Sequence, residues 1–456
     1  MSLSQRKPIA AIATAPGEAG ISVIRVSGKD CFNLVNLLFK AKDLTSVPGH
    51  TIHFGKLRNL KNEVVDELLI SVFKSPHSYT GEDTLEISCH GGVLITREVL
   101  ITILSTGIEP AQPGEFTHRA FLNGKMELSQ AEAVADLIHA KSKKALASAH
   151  QQLDGKLGEY VKTFRQSIID ATAMIELELD FVEEDVEFAN MDELMKLLNN
   201  LEEDIEHLME TYEAGRLVKH GVRTVFIGAP NAGKSTLLNT LVGKDRAIVT
   251  EIAGTTRDVI DADWTYDGIY FKLTDTAGIR ETTDRIEVEG VKRSQKAITQ
   301  ADLIVYLHDL SRSDEEQITN INALRNLAPE TPFMAVGTKK DLTGEKTQTR
   351  LDLDITISAI EMENIDQLKK MMKERALENQ HLDTSGLLVT SARHRDALEK
   401  TKEHVASAKR AINLGMSGDL LAIDLRSALQ SLGTITGEIT NEDVLDSIFS
   451  RFCIGK

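Results

Sequence analysis

Gly228-Ala229-Pro230-Asn231-Ala232-Gly233-Lys234-Ser235 follows directly on the apolar run Thr224-Val225-Phe226-Ile227. Gly228 and Gly233 let the backbone curl so that successive N–H groups point inward at phosphate oxygens. Lys234 at this spacing reaches the β and γ phosphates, and the Ser235 hydroxyl ligates Mg²⁺. Asn231, Ala232, Gly233 and Thr236 are expected to complete the nucleotide contacts of the loop. A helix expected from about Lys234 to Val242 adds its positive dipole end. With a strand before it and a helix after it, this stretch predicts a triphosphate-binding loop in an α/β domain.

Three further stretches stand in the order such a domain requires. Asp275-Thr276-Ala277-Gly278 follows the apolar run Tyr270–Leu273, so that Asp275 at a strand end can hold a Mg²⁺ water and the Gly278 N–H can meet the γ phosphate. Gly254-Thr255-Thr256-Arg257-Asp258 lies between the two, and Thr256 is the expected second hydroxyl ligand of Mg²⁺. Thr338-Lys339-Lys340-Asp341 follows the run Phe333–Val336. The Asp341 carboxylate can accept both N–H donors of a guanine edge, which adenine does not offer, and a backbone N–H at Ser358-Ala359 can meet the guanine carbonyl. The set predicts a guanine nucleotide site.

Two departures bear on mechanism. Thr338 stands where the base motif usually begins with Asn, and one hydroxyl cannot reproduce both amide contacts. Ile279 follows Gly278, where small signalling GTPases carry a water-orienting Gln. Hydrolysis then needs another carboxylate or amide, together with a positive charge from an arginine finger or a monovalent cation. Asn231 is suitably placed to ligate such a cation.

At 456 residues the chain has room for about three domains. It is 41% hydrophobic and 27% charged, an ordinary globular composition. No apolar stretch approaches the roughly 20 residues that cross a bilayer, and Met1-Ser2-Leu3-Ser4 opens no apolar leader, so a cytoplasmic protein is expected. Cys31, Cys89 and Cys453 are odd in number and far apart, which suits reduced thiols without a zinc site. A net charge of −17 excludes bulk electrostatic binding of nucleic acid. RNA contact would need a partner or a local basic patch such as Lys141, Lys143 and Lys144, for which a solvated helix face is the simpler reading.

Residues 1–120 read as α+β, with strand-like runs at Ile21–Val26, Glu67–Phe73 and Thr84–Cys89 and a helical stretch after His90-Gly91-Gly92. From Glu127 to Tyr212 apolar residues recur at helical spacing: Leu128, Ala131, Ala135 and Ile138; Val161, Phe164, Ile168, Ala171 and Ile175; Leu194, Leu198, Leu201, Ile205 and Leu208. The acidic run Glu176 to Glu187 reads as a solvated face of one such helix, and Gly215 and Gly221 are expected to break the helices. Residues 221 to 378 alternate strand and helix, after which helical periodicity returns through Ala397, Val405, Ala408, Ile412, Leu421, Leu425 and Leu429, ending in a short helix from Asn441 to Phe452. The expected domains are 1–120, 121–217, 218–379 and 380–456, the third an α/β insertion between two halves of one helical domain.

The chain closely resembles, over essentially its full length, the tRNA-modification GTPases of the MnmE (TrmE) family. The shared segments are the phosphate loop, the Gly254–Asp258 stretch and Asp275-Thr276-Ala277-Gly278-Ile279-Arg280-Glu281. More specific are Pro113-Gly114-Glu115-Phe116-Thr117-His118-Arg119-Ala120-Phe121-Leu122-Asn123 and the terminus Phe452-Cys453-Ile454-Gly455-Lys456. The resemblance implies a multidomain fold: an α+β N-terminal folate-binding-like domain, a discontinuous α-helical domain and an inserted α/β Ras-like P-loop GTPase domain. It implies K⁺ bound at Asn231, Thr250, Ile252 and Thr255, the two threonines also lying against GTP, and Glu287 as the carboxylate that orients water. It implies 5-formyltetrahydrofolate held by Arg25, Glu82, Lys125 and Lys456, a constitutive homodimer through the N-terminal domain, and an FAD-containing partner, MnmG (GidA). Together these would modify C5 of the wobble uridine of certain tRNAs.

The residue chemistry agrees with that assignment without requiring it. A folate tail carries carboxylates suited to Arg25 or Lys125, and a pterin edge offers N–H donors suited to Glu82. Read without the resemblance, these are surface salt bridges. Cys453 by composition is a small buried hydrophobe, whereas the resemblance sets it near the folate pocket and implies a part in the chemistry. His90 and His118 read as capping or core hydrogen-bonding residues. The competing assignment is a regulatory or ribosome-assembly GTPase that performs no one-carbon chemistry.

Overall fold

Burial alternates along two consecutive N-terminal runs. Ile70 and Val72 point inward while Leu69 points out, the period expected of a half-covered strand. In the computed structural model the described residues are 6–180, 191–243, 261–275, 296–312, 315–343, 351–378 and 386–456, with the side chains of 176–180, 261, 275, 315–317 and 320 outside the description. They divide into two compact units, one drawing on Met1–Ala135, Gln152–Gln166 and Leu429–Lys456, the other on Asp136–Gln151 and Ser167–Ala428.

The first unit is built on strands β1 (Ile9–Ile12), β2 (Ile21–Ser27), β3 (Thr51–Arg58), β4 (Val64–Phe73), β5 (Thr84–His90) and β6 (Glu109–Pro110). They form one sheet in the order β3-β4-β5-β2-β1-β6, antiparallel except where β1 runs parallel to β6. Helices α1 (Cys31–Asn36) and α2 (Val93–Leu104) contribute to its core, where Ile24, Val26, Ile70, Leu85 and Ile87 meet Val35, Val99 and Ile103. The opposite face is apolar and open at β3 and β4: Phe54 pairs with Leu69 in register, and they are 66% and 41% exposed. Helix α3 (Glu115–Leu122) follows β6.

Helices α4 (Leu128–His139), α5 (Lys143–Leu153), α6 (Lys156–Asp180), α7 (Met191–Glu210) and α8 (Tyr212–His220) come next. The stripes through Val161–Ile175 and Leu194–Leu208 are buried, as their spacing predicts, but Ile138 at the end of the first stripe is exposed. Gly215 does not break a helix. It lies inside α8, where a Cβ would stand 2.2 Å from the Val389 carbonyl oxygen, so it serves close backbone approach. Gly221, at φ 79°, is the actual stop.

The second sheet holds β7 (Val222–Gly228), β8 (Asp261–Tyr266), β9 (Ile269–Asp275), β10 (Leu303–Asp309), β11 (Phe333–Thr338) and β12 (Ile355–Thr356), in the order β12-β11-β10-β7-β9-β8. Among the described strands only the edge strand β8 is antiparallel. Every residue of β10 is buried, as in a parallel strand covered on both faces. Helices α9 (Lys234–Val242), α10 (Glu315–Leu327) and α11 (Ile365–Ala376) accompany this sheet.

After it come α12 (Ala392–Asn413), α13 (Gly418–Thr436) and α14 (Glu442–Phe449). α12 packs on α7 across the whole length of the intervening sheet in sequence, with Lys402 paired to Glu206 at 2.8 Å and Lys409 to Glu202. The helical domain is therefore discontinuous. α14 begins at Glu442 with Asn441 as its cap, whose side chain accepts from the Val444 N–H. In the first unit, Phe449 and Phe452 pack with Leu128, Ala131 and Val134.

The basic cluster departs from the solvated-face reading at Lys141 and Lys144, which engage the β8–β9 hairpin, and agrees with it at the exposed Lys143. Lys141 donates to Asp263 Oδ2 at 2.9 Å and to the Tyr270 hydroxyl at 3.0 Å, and Tyr270 in turn donates to Asp263. The Lys144 stem lies against Gly268 in the β8–β9 turn and is half-buried, while Lys141 and Lys143 both remain exposed.

Candidate functional site: a phosphate loop with a base loop, and a basic-acidic cluster on the first sheet

β7 is flanked on both sides, by β10 and β9, so its C-terminal end is rigid where the phosphate loop leaves it. Gly228 is required there: a Cβ would stand 2.6 Å from the Leu307 carbonyl oxygen. The loop curls through two left-handed residues, Asn231 at φ 62° and Gly233 at φ 87°, the second capping α9. Lys234 is buried and donates from Nζ to the carbonyls of Gly228 at 2.7 Å and Ala229 at 2.9 Å, folding back over its own loop. Ser235 and Thr236 are exposed on the first turn of α9.

The base loop is tied to the phosphate loop. Thr338, the last residue of β11 and only 4% exposed, donates from Oγ1 to the Ala232 carbonyl at 2.8 Å and also lies 3.2 Å from the His308 carbonyl. Its hydroxyl is used between loops. Lys339 takes φ 60° and its ammonium lies 2.7 Å from Asp309 Oδ2. Burial pushes the Asp309 carboxyl up, but Lys339 and the Ser311 hydroxyl and amide more than offset this and hold it below its ordinary value. Asp341 sits in a 3₁₀ turn, Lys340–Leu342, and accepts from the buried Ser358 hydroxyl at 2.6 Å. The Ala359 carbonyl lies 3.3 Å from Thr240 Oγ1 on α9. The structure thus brings Ala232, Thr338, Lys339, Asp341, Ser358 and Ala359 to one end of the sheet. Asp275 ends β9 beside Phe226 of β7, with its side chain outside the description. Thr250, Ile252, Thr255, Thr256, Thr276, Ala277, Gly278, Ile279 and Glu287 lie outside the described residues.

A second cluster forms on the first sheet. Arg25, in the middle of β2, pairs in register with Glu86, and its Nε and NH2 both donate to Glu86 Oε1, at 3.1 and 2.8 Å. Its guanidinium lies 5.0 Å from the centre of the Tyr79 ring and 5.7 Å from that of Phe116. The remaining NH1 is buried and has no hydrogen-bond partner among the described residues. A buried donor left open in this way suits an anionic ligand.

Lys456 reaches the same place. Gly455 runs so close to Ile12 that a Cβ would meet its carbonyl oxygen at 2.3 Å. Burial, and then the nearby Arg25 charge, hold the Lys456 amine below its ordinary value. Glu82 accepts from Arg119 and Ser27 through Oε2. Lys125 donates to the Pro76 carbonyl at 3.1 Å and its stem lies against Gly81, the neighbour of Glu82. The structure therefore brings Arg25 and Lys456 together and sets Lys125 next to the Glu82 loop.

Cys453 is exposed, against the buried reading, because Phe452 before it takes the core position. Cys31 is buried, and burial raises its thiol far above the ordinary range. His90 bonds Asp66 at 2.7 Å, while His118 stacks on Phe449 at 4.7 Å. Sequence reading missed Arg119, Ser27, Tyr79 and Asp309. The first lay in view inside the Pro113–Asn123 signature, but nothing in sequence spacing points a helix residue at Glu82.

Comparison with known families covers nearly the whole chain. Residues 8–125 match the model described as GTP-binding protein TrmE N-terminus, and 128–453 match the MnmE helical domain. The tRNA modification GTPase MnmE of Salinibacter ruber is 44% identical over 461 residues, covering 100% of both chains. That of Cytophaga hutchinsonii is 44% identical, covering 98% of this chain and 97% of its own. Among solved structures, Era of Aquifex aeolicus is 23% identical, covers 40% of this chain and 66% of its own, and has a TM-score of 0.28.

Proposed function

The chain belongs to the tRNA modification GTPase MnmE family and is a GTP hydrolase acting in tRNA modification, and on that premise we propose that it is a potassium-activated homodimer carrying a folate one-carbon donor. With an FAD-containing partner, MnmG, it would modify C5 of the wobble uridine of certain tRNAs in the cytoplasm. The observation that carries the one-carbon part is the open, buried NH1 of Arg25, with the C-terminal tail packed at Gly455 against Ile12 on the strand paired with β2. Two cationic side chains from opposite ends of the chain, beside an acidic loop, suit a ligand with carboxylates at one end and N–H donors at another. The apolar sheet face at Phe54 and Leu69 supports self-association through the same unit.

In the nucleotide site Lys234 meets the β and γ phosphates, and Asp341, oriented by Ser358, accepts the N–H donors of guanine. Glu287 orients the attacking water. Ser235 and Thr256 would hold Mg²⁺, and Asn231, Thr250, Ile252 and Thr255 would hold K⁺; bound there, the ions would supply positive charge at the phosphates. Arg25, Glu82, Lys125 and Lys456 would hold 5-formyltetrahydrofolate, which would supply the one-carbon unit, with Cys453 exposed a short way along the same tail.

The test has two arms. GTP turnover is expected to rise strongly in KCl over NaCl and to fall in Asn231→Ala; equal rates in both salts refute the potassium assignment. Calorimetry is expected to show 5-formyltetrahydrofolate binding that Arg25→Ala abolishes. Absence of folate binding in the intact protein favours a purely regulatory GTPase.

A further inference from the structure

The segment Pro113–Asn123 has no assigned task, yet its side chains reach every part of the second cluster. Phe116 is fully buried beneath the Arg25 guanidinium. Thr117, equally buried, lies 2.8 Å from the hydroxyl of Tyr79, whose ring covers the same guanidinium. Asn123 donates to the Thr80 carbonyl at 2.7 Å, at the base of the Glu82 loop. His118 stacks on Phe449, and Gly114 approaches the Phe449 carbonyl so closely that a Cβ would stand 2.6 Å from it, so the same helix anchors the segment that leads to Lys456.

Arg119 is the centre of this arrangement. The residue is 3% exposed and its guanidinium donors are shared among three acceptors: Glu115 Oε1 at 2.8 Å, the Lys7 carbonyl at 3.0 Å and Glu82 Oε2 at 3.2 Å. The Ser27 hydroxyl, also fully buried, reaches the same Glu82 oxygen at 3.1 Å. The Glu82 backbone is held as well, its N–H donating to Thr80 Oγ1 and its carbonyl accepting from Thr84 Oγ1, both at 3.1 Å. One carboxylate oxygen is thus committed to the protein, while Oε1 has no hydrogen bond among the described residues.

We propose that α3 is the scaffold of the second site and that Arg119 is its positioning residue, fixing Glu82 through Oε2 so that Oε1 is presented to the N–H donors of the ligand. The inference rests on the folate reading above and adds how the site is kept in shape. A guanidinium is needed because its planar fork serves two carboxylates and a carbonyl at once, which an ammonium on a flexible stem cannot do in the same geometry. The pairing also keeps a largely buried carboxylate compensated.

The experiment titrates the full-length protein with 5-formyltetrahydrofolate, with its 2-desamino-2-methyl analogue lacking the amino donor, and with p-aminobenzoylglutamate, the tail alone. Arg119→Met is expected to weaken the folate about 10- to 100-fold, the loss of an oriented charged acceptor. It is expected to erase the preference over the desamino analogue and to leave the tail within about two-fold. Arg119→Lys, which keeps the charge and guards against misfolding of the first variant, is expected to lose the same preference. In a Glu82→Gln background Arg119→Met is expected to add little further loss. The proposal is overturned by an unchanged preference, by equal loss for folate and tail, or by full additivity with Glu82→Gln. If the unmodified protein binds no folate, the ligand reading itself fails and this inference with it.

Discussion

Replacing Gly455 by alanine isolates the docking of the C-terminal tail from the stability of the unit beneath it. Gly455 has φ 99°, and a Cβ there would stand 2.3 Å from the Ile12 carbonyl oxygen and 3.0 Å from Ala13 Cα. These atoms belong to sheet backbone, since Ile12 pairs with Ile24 and the Ala13 N–H donates to the Val23 carbonyl at 2.7 Å. They cannot yield as a flexible side chain would. A left-handed alanine alone costs about 1–2 kcal/mol, and the overlap adds to it, so the tail is expected to lift away. Little else is lost: Cys453 and Ile454 are exposed, while Phe449 and Phe452 remain in their core. Global stability should therefore fall by less than ~1 kcal/mol, while Lys456 leaves Arg25. Losing one charge-assisted contact to a ligand carboxylate, worth about 1.5–3 kcal/mol, lowers folate affinity roughly 10- to 100-fold. Calorimetric titration, a thermal melt and the rate of carboxypeptidase trimming read the three quantities. Unchanged affinity with unchanged trimming refutes the steric reasoning, and a melt lowered by roughly 10 °C shows instead that the tail belongs to the core.

Phe449→Ala empties a buried site among Leu128, Ala131 and Phe452 and removes the partner of His118, so a thermal or denaturant melt is expected to lose about 3–5 kcal/mol. Thr338→Val strips the donor from the buried Ala232 carbonyl, at about 1–3 kcal/mol. Because the hydroxyl serves the phosphate loop, fluorescence titration should show GTP, GDP and ITP weakened alike, and a selective loss of guanine nucleotides would place Thr338 on the base instead. Burial and the Asp263 hydrogen bond push the Tyr270 hydroxyl up to about 12. Its folded value then exceeds the unfolded ~10, so the associated stability is complete below about pH 10 and is lost as pH rises through about 12. Melts across that window are expected to fall more steeply in the parent protein than in Tyr270→Phe, and parallel curves would count against the Lys141–Asp263–Tyr270 network.

Much of the second sheet was legible because its signals are local. β7, α9 and the turn between them are set by glycine positions, an apolar run and a capped helix start within one short stretch, and the structure returns α9 at Lys234–Val242. The buried stripes of α6 and α7 were legible for the same reason, since helical period is a property of neighbours in sequence. The tie from Thr338 to Ala232 was not, because it depends on strand order: β11 lies beside β10, and β10 beside β7, only in the folded sheet. Gly215 was misread as a stop because its cause, the Val389 backbone, lies far along the chain.

By itself, then, the sequence determined the phosphate loop, the place of Asp341 just after a strand and the alternation of α+β, helical and α/β segments, all of which follow from short-range geometry. Tertiary structure alone decided that Lys456 stands beside Arg25 and that Arg119 grips Glu82. It likewise turned Lys141 and Lys144 onto a strand hairpin. These contacts join residues whose separation carries no periodic signal, and they exist only where packed sheets and helices hold the two ends of the chain at one place.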